Sequence, residues 1–174
     1  MQDLPFPFPY RKGQRELVAS VWHTISEQKE LFIEAPTGVG KTMSAVFPAV
    51  RALGAGQGDR IFYLTSKTVT RTVGLEAFAI LRSRGLKIKL VSLTAKEKLC
   101  PMNEPSCNPD DCPYAKGHFD RINDAVYDLL QKTDLFDRDT ILHQAEERKV
   151  CPFEVSLDVS SWTDAVICDY NYVF

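Results

Sequence analysis

The stretch Ala35-Pro36-Thr37-Gly38-Val39-Gly40-Lys41-Thr42 constrains the fold of this chain more than any other segment. It joins an apolar run at residues 31–33, which predicts a buried strand, to an amphipathic stretch that predicts a helix from Lys41. Glycines in such a loop let backbone N–H groups turn toward a phosphate, and the helix N-terminus adds the positive end of its dipole. Lys41 is therefore predicted to reach the β- and γ-phosphates of a nucleotide, and the Thr42 hydroxyl to bind Mg²⁺. A glycine-rich turn with an exposed lysine is the alternative.

Residues ahead of this loop add candidate contacts to a bound nucleotide. Gln14 begins a predicted helix, where its side-chain amide is placed to read the adenine edge. Phe8 or Tyr10 would stack on the ring, and Arg11 would approach a phosphate. The predicted nucleotide-binding residues are thus Tyr10, Arg11, Gln14, Pro36, Thr37, Gly38, Val39, Gly40, Lys41 and Thr42, of which Lys41 and Thr42 are the predicted catalytic pair.

Apolar runs and helical periodicity along the rest of the chain predict an α/β fold. The predicted strands are residues 31–33, 61–64, 88–93 and 165–168. The predicted helices begin near Gly13, Lys41, Val69, Asp120 and Asp139, and the last two are expected to span residues 120–131 and about 139–149. Strands that alternate with helices are typical of a parallel sheet with crossover connections. Because prolines crowd residues 100–115, we expect an irregular loop there, within an insertion at 98–152 that separates residues 1–97 from a return at 153–174.

Composition excludes several classes of protein. The chain has 174 residues, of which 44% are hydrophobic and 25% charged, figures that a disordered tail or a disulfide miniprotein would not show. The sequence shows neither the pattern of a signal peptide nor an apolar run of about 18 residues that would predict a membrane span. We therefore expect a cytoplasmic protein, and in that reducing compartment clustered cysteines suggest a metal before a disulfide.

Four of the five cysteines form a pattern that suits a metal: Cys100, Cys107, Cys112 and Cys151. Four thiolates brought together by loops can hold a tetrahedral Zn²⁺ ion or a [4Fe–4S] cluster. Zinc sites usually contain paired C-x2-C hooks, which are absent here, so the spacing favours the cluster and leaves zinc as the weaker alternative. His118 and His143 would serve as ligands in a zinc site, although we expect surface positions for both. Cys168 lies in an apolar strand and is expected in the core.

Charge is balanced overall but unevenly distributed. The chain has 21 Lys and Arg against 23 Asp and Glu, which gives a net charge of -2 and no general attraction to nucleic acid. Six basic residues lie between Arg82 and Lys98 against a single acidic one, so this stretch is a candidate phosphate track or, alternatively, an ordinary solvated surface. Between Glu104 and Glu147 eleven acidic residues stand against four basic ones. We expect that stretch to be a solvated surface or a protein contact rather than a DNA-binding surface.

The combined motifs resemble the iron–sulfur superfamily 2 DNA helicases of the XPD and DinG type over nearly the whole chain. The resemblance is carried by residues 10–14, 34–42, 63–68, the four clustered cysteines and residues 168–172. It implies part of a RecA-like motor domain, a P-loop parallel sheet flanked by helices, with an inserted small, mainly helical domain in which the cysteines hold a [4Fe–4S] cluster. It also implies that ATP and Mg²⁺ drive 5′-to-3′ movement along single-stranded or forked DNA, in repair or replication, by a protein expected to be monomeric.

The same resemblance implies that Ser66, Lys67 and Thr68 bind the phosphate backbone of single-stranded DNA, since hydroxyl groups and a lysine suit phosphate oxygens. A polar cap on the following helix is the alternative for these residues. Asp169 ends an apolar strand, but Tyr170 follows it, so the Asp-Glu-Ala-His motif of the family is not present there. We therefore expect the N-terminal part of a longer helicase, which binds nucleotide without hydrolysing it. Two other functions remain open: a non-enzymatic metal-cluster module that binds DNA or protein and senses nucleotide, and a phosphotransferase with a zinc lid.

Overall fold

The computed structural model describes residues 3–174, except for the side chain of Thr68, and it contains two compact units, Met1–Lys87 and Ile88–Phe174. Both units combine helices with short strands, so the predicted α/β class is confirmed. Within the described residues, none of the helices has the length and apolar character needed to cross a membrane. The predicted domain boundaries, at residues 97 and 152, stay predictions.

The first unit is built around the helix that follows the phosphate loop. Its elements are α1 (Gln14–Ser26), α2 (Lys41–Gly54), β1 (Ile61–Leu64) and α3 (Thr68–Ser83). Helix α2 packs against α1, α3 and β1. Its side chains Phe47 and Val50 are buried, as are Phe78 and Leu81 of α3. These apolar contacts anchor α2, and with it the end of the loop that precedes Lys41.

The predicted strand at residues 31–33 is wrong, because residues 29–36 have no regular secondary structure. Phe32 is 90% exposed, and Leu31 and Ile33 are exposed as well. An extended segment becomes a strand only when a neighbouring strand satisfies its backbone hydrogen-bonding groups, which otherwise bond to water. The chain therefore enters the phosphate loop from an extended, solvent-exposed segment rather than from a buried strand.

The second unit contains a parallel sheet. The strands are β2 (Leu90–Ser92), β3 (Leu135–Phe136) and β4 (Ala165–Cys168). Strand β2 lies between the other two and runs parallel to both, with Leu90 opposite Leu135 on one side and Ala165 on the other. Cys168 is fully buried in β4, so its predicted place in the core is confirmed. The parallel arrangement predicted from alternating strands and helices is thus present in this unit.

Helices flank this sheet and enclose the cysteine-rich loop. They are α4 (Lys96–Leu99), α5 (His118–Lys132), α6 (Arg138–Arg148), α7 (Pro152–Ser160) and a short 3-10 helix (Tyr170–Tyr172). The predicted helices at residues 120–131 and 139–149 are confirmed, and so is the irregular loop at 100–115. Helix α7 was not predicted from the sequence. It begins with Pro152, a residue that suits the first position of a helix, and it packs against β2, α5 and α6.

Candidate functional site

The phosphate loop has the backbone turns that its glycines predict. Gly38 and Gly40 both have a φ of 84°, in the left-handed region that residues other than glycine rarely adopt. Gly40 directly precedes Lys41, the first residue of α2. At this end of a helix the backbone N–H groups lack intrahelical acceptors and the dipole is positive. A phosphate placed beside the loop would therefore meet several hydrogen-bond donors at once.

The Lys41 ammonium lies across this loop. Its Nζ donates to the carbonyl oxygens of Ala35 and Pro36, at 2.9 Å in each case. The Lys41 side chain is exposed, and Thr42 follows it in the first turn of α2. A phosphate can therefore replace the two carbonyls as the acceptor for Lys41 without first opening a buried site. The two predicted catalytic residues lie at the same end of the same helix.

Two residues upstream of the loop, Arg11 and Gln14, lie against it through contacts that the sequence did not predict. The Arg11 guanidinium donates to the Gly38 carbonyl, and the Arg11 backbone N–H donates to Gln14 Oε1 at 3.1 Å. Gln14 is only 4% exposed, and a Cβ built at Gly40 would lie 2.5 Å from its Nε2. The structure thus brings Arg11 and Gln14 to the loop itself. Their contacts with phosphate and adenine stay predictions.

Aromatic rings lie upstream of the same loop. Tyr10 stacks on Phe6, with 4.3 Å between the ring centroids and 11° between the planes. Phe6 in turn meets Phe47 of α2 edge-on at 5.1 Å. Tyr10 and Phe8 both remain exposed. Because Phe6 covers one face of the Tyr10 ring, a base would have to stack on the other face.

The four predicted metal ligands line the same cavity in the second unit. The cavity has a volume of about 430 Å³, and its walls include Cys100, Cys107, Cys112 and Cys151. All four are free thiols; Cys112 is buried and Cys107 is exposed. Burial raises the pKa of the Cys151 thiol. Among residues 3–174, however, no group of three or more His, Cys, Asp or Glu side chains is arranged to hold a metal ion. The thiols therefore share one space without forming a ready-made site.

Local backbone structure explains how the cysteines reach this cavity. Cys100 directly follows α4, and Cys151 directly precedes α7. Between them, the Cys112 backbone N–H donates to the Asn108 carbonyl at 2.9 Å, which closes a turn after Cys107. Cys100, Cys112 and Cys151 are each followed by proline, which removes a backbone donor and restricts the chain.

The Lys96 side chain supplies a positive charge to the cavity. Lys96 lies in the cavity wall, with its ammonium 5.7 Å from the centre of the Phe153 ring. A hydrogen bond and the charge of Cys107 raise the pKa of Lys96. Lys96 therefore stays protonated and places a positive charge beside these sulfur atoms.

His118 also faces the cavity, so its predicted surface position is wrong. It is 6% exposed, and its Nδ1 accepts a hydrogen bond from the Cys151 backbone N–H at 3.2 Å. Burial lowers the pKa of His118, which keeps the imidazole neutral. His143 is exposed, as predicted. With its Nδ1 already bonded, His118 can offer only Nε2 to a metal.

Two of the predicted DNA-binding residues, Ser66 and Lys67, lie between β1 and α3, and the third, Thr68, is the first residue of α3. Ser66 and Lys67 are exposed, and the side chain of Thr68 lies outside the described part of the chain. The Lys67 backbone N–H donates to Thr65 Oγ1 at 3.2 Å, while its own side chain makes no capping hydrogen bond. The alternative role of a helix cap is therefore not filled by Lys67. Contact of the three residues with DNA stays a prediction.

The basic stretch at residues 82–98 is partly used inside the second unit. Lys89 Nζ binds Asp134 Oδ1 at 2.7 Å and the Leu130 carbonyl at 2.8 Å. Lys96 lies in the cysteine cavity. These two charges serve internal contacts, so a phosphate track along this stretch would depend on the remaining basic residues.

Comparisons with known proteins give both halves of the chain a family. A family model described as DEAD/DEAH box helicase matches residues 15–101, and a second, described as DEAD_2, matches residues 85–174. A probable ATP-dependent helicase of Methanocaldococcus jannaschii is 39% identical over 46 residues. That stretch is 26% of this chain and 7% of the relative, so the similarity covers a small part of the relative's length.

Proposed function

Because the chain belongs to the DEAD/DEAH box helicases, and its second half to the DEAD_2 family, we propose that it is the nucleotide- and cluster-binding part of an ATP-dependent DNA helicase. The observation that carries this proposal is the phosphate loop. Its left-handed glycines, the Lys41 ammonium and the N-terminus of α2 meet at one place. This arrangement suits binding of the ATP phosphates, and helicases hydrolyse ATP.

In the proposed complex, Lys41 would exchange its two carbonyl acceptors for phosphate oxygens of ATP, and the Thr42 hydroxyl would bind Mg²⁺. The exchange is favourable because hydrogen bonds between two charged groups are stronger than those to a neutral carbonyl. Tyr10 stacks on the adenine ring, and Gln14 and Arg11 bind the nucleotide beside it. The Arg11 guanidinium also donates to the Gly38 carbonyl, and the Arg11 backbone N–H donates to Gln14. Movement of the loop on phosphate binding would therefore also displace Arg11 and Gln14.

We further propose that Cys100, Cys107, Cys112 and Cys151 hold a [4Fe–4S] cluster, with zinc as the weaker alternative. The support is that four free thiols line one cavity, beside the Lys96 ammonium, in a loop region without regular secondary structure. Thiolates are the usual ligands of such clusters. A bound cluster would supply cross-links between the loop at 100–117 and the start of α7. Lys96 would offset part of the negative charge that the thiolates bring together.

On this proposal the first unit belongs to a RecA-like motor domain, and Ser66, Lys67 and Thr68 hold the backbone of the DNA. The substrate would be single-stranded or forked DNA, along which the complete helicase moves 5′ to 3′ in repair or replication. We expect a monomer acting in the cytoplasm. The exposed positions of Ser66 and Lys67 leave both side chains accessible to phosphate oxygens.

The 174 residues are proposed to bind ATP without hydrolysing it. Asp169 Oδ1 accepts a hydrogen bond from the Asn171 backbone N–H at 3.0 Å and so caps the short 3-10 helix. Tyr170 follows it in the sequence, and no glutamate is present beside it to orient water. DNA-stimulated release of phosphate by the 174-residue chain would contradict this expectation.

Nucleotide binding is the direct test of the proposed function. The dissociation constant of a fluorescent ADP analogue with Mg²⁺ is measured for the 174-residue chain, for Lys41→Ala and for Lys29→Ala. Lys29 is an exposed control that pairs with Glu27. Loss of charge-assisted hydrogen bonds of about 1.5–3 kcal/mol should weaken binding by roughly 10- to 100-fold in Lys41→Ala alone. Equal affinities in all three proteins would contradict the assignment of the loop.

Metal analysis tests the cluster separately. Anaerobic preparations should absorb near ~400 nm and contain about four iron atoms per chain, and Cys107→Ser should lower the iron content. Stoichiometric zinc without iron would favour the zinc alternative. Iron content that is unchanged in Cys107→Ser would contradict the four-cysteine assignment.

A further inference from the structure

Tyr127 of α5 and Trp162, which follows α7, line a groove that shares only Asp158 with the cysteine cavity. Tyr127 is 66% exposed and Trp162 67%. The groove has a volume of about 460 Å³, and its walls include Asn123, Val126, Tyr127, Leu130, Asp158 and Trp162. We refer to it as the α5 groove. Large exposed rings gathered around one groove are a feature of interaction surfaces rather than of an ordinary solvated face.

Helix α5 has a second apolar face, which forms one wall of the groove. Ile122, Ala125 and Leu129 are buried and form the face that packs inside the unit. Tyr127 and Leu130 lie three residues apart, so they are neighbours on the helix surface, and both line the groove beside the buried face. A helix that packs on one side needs only one apolar face. The additional face therefore indicates a contact beyond the described residues.

Charge around the α5 groove indicates what that contact is. Asp158 lines the groove, and the exposed Asp124 lies three residues before Tyr127, next to it on the surface of α5. Within the described chain, no Lys or Arg is among the residues that line it. Nucleic acid would bring phosphates toward these carboxylates without a cation to bind them, so a single strand stacked on the rings is disfavoured. A cationic protein segment suits both the rings and the carboxylates.

We propose that the α5 groove is the docking site for a positively charged, amphipathic segment of a partner protein. An apolar side chain of that segment enters between Tyr127 and Trp162, and its Lys or Arg side chains meet Asp124 and Asp158. Tyr and Trp are the residue types that most often dominate binding energy in protein interfaces. Acidic side chains at the rim set the register and speed association with a cationic partner.

The test uses the full 174-residue chain and three defined probes. The first is an amphipathic helical peptide of Leu and Lys, about 18 residues long, the second its Leu and Glu counterpart, and the third an oligothymidine. Calorimetry measures the dissociation constant of each. We expect the Leu and Lys peptide to bind, more weakly as salt rises, and Tyr127→Ala or Trp162→Ala to weaken it by about 10-fold or more. Asp124→Lys should weaken it as well.

Phe32→Ala is the control, because Phe32 is also an exposed aromatic ring and lies in the first unit, away from the groove residues in the sequence. It should leave the affinity for the Leu and Lys peptide unchanged. Since Tyr127, Trp162 and Asp124 are exposed, their variants should keep the circular dichroism spectrum of the parent chain.

Four results would overturn the proposal. The first is that the Leu and Glu peptide binds as tightly as the Leu and Lys peptide, and the second is that no groove variant weakens binding of the Leu and Lys peptide. The third is that the chain binds oligothymidine and Trp162→Ala abolishes this binding. The fourth is that the chain self-associates and Tyr127→Ala abolishes the self-association. The third would assign the groove to nucleic acid and the fourth to a second copy of the chain. None of them bears on Lys41 or the cysteines, so the proposed helicase function is tested independently.

Discussion

Gly38 and Gly40 share a φ of 84°, yet they differ in what surrounds them. A Cβ at Gly38 would meet nothing within 4 Å, whereas a Cβ at Gly40 would lie 2.5 Å from Gln14 Nε2. At both positions the left-handed backbone would be strained in any residue other than glycine. Only at Gly40 would a Cβ also overlap with a neighbouring side chain, that of Gln14. The contact between Gln14 and the phosphate loop can therefore be measured by comparing two alanine variants.

We expect Gly40→Ala to lower the free energy of unfolding more than Gly38→Ala does. The left-handed backbone alone should cost each variant roughly 1–3 kcal/mol, and displacement of the buried Gln14 amide adds to the loss in Gly40→Ala. Urea unfolding measures both values. Adding Gln14→Ala to Gly40→Ala should reduce its loss, and equal losses in the two single variants would show that the contact carries no energy.

Lys96 offers a second prediction at the scale of one side chain. Replacing it by Met removes the positive charge beside Cys107 but keeps most of the side-chain length. Groups that support metal ligands commonly change metal affinity by about 10-fold or more when they are replaced. Lys96→Met should therefore raise the rate of iron release to a chelator by about 10-fold or more. Lys98→Met, an exposed neighbour, is the control. Equal release from both variants would count against a role for Lys96.

The sequence correctly predicted that Lys41 begins a helix directly after the phosphate loop. It also predicted that loops bring the four cysteines together to hold a metal; they line one cavity, and the metal site stays a prediction. The sequence did not predict the burial of His118. A signal existed, since His118 lies four residues before Ile122, on the helical face that continues to Ala125 and Leu129. The Arg11 contact to Gly38 had no such signal, because it joins residues 27 positions apart.

At the scale of elements, a buried amide joins α5 to α6. Gln144 of α6 donates from Nε2 to the Ala125 carbonyl at 2.8 Å and accepts from Lys132 Nζ at 3.2 Å. Gln144 is nearly inaccessible to solvent. A buried polar group of this kind stabilises the fold only while its partners are present. This amide is the buried contact between the two helices, which are also joined by the ion pairs Lys132–Glu147 and Arg148–Asp128 nearer the surface.

Gln144→Leu should lower the free energy of unfolding by about 1–3 kcal/mol, because the Lys132 ammonium loses one of its acceptors and the Ala125 carbonyl loses its donor from α6. Gln131→Leu, an exposed position on α5, should change it by less than about 0.5 kcal/mol. Both are measured by urea unfolding followed by circular dichroism. A Gln144→Leu protein as stable as the parent would show that apolar packing replaces the amide without loss.

Elements with strong periodicity were predictable, and those that depend on a neighbour were not. Helices α5 and α6 match their predicted ranges to within two residues. Residues 31–33 have the composition of a buried strand, but a strand forms only beside a pairing partner, which composition does not supply. Helix α7 was not predicted, although Pro152 at its start and the apolar residues Val155 and Val159, one turn apart, could have indicated it.

At the scale of the whole molecule, each compact unit carries one proposed ligand site. The phosphate loop and its supporting residues lie in Met1–Lys87, and the four cysteines lie in Ile88–Phe174. A ligand that binds only the folded state stabilises the structure that forms its site. Nucleotide and cluster should therefore protect different parts of the backbone from hydrogen exchange.

Saturating the 174-residue chain with ADP and Mg²⁺, at about 100 times the dissociation constant, should stabilise the nucleotide site by about 2.7 kcal/mol. Hydrogen exchange followed by mass spectrometry should then slow at residues 35–54, with little change at residues 100–118. Chelation of iron should do the reverse, speeding exchange at residues 100–118 and 151–160, because the loop between α4 and α5 has no regular structure to hold it once its cross-links are gone. Lys41→Ala should lose the first response and keep the second. Protection of residues 100–118 by nucleotide alone would mean instead that the phosphate loop and the cysteine loop respond to one ligand as a single structure.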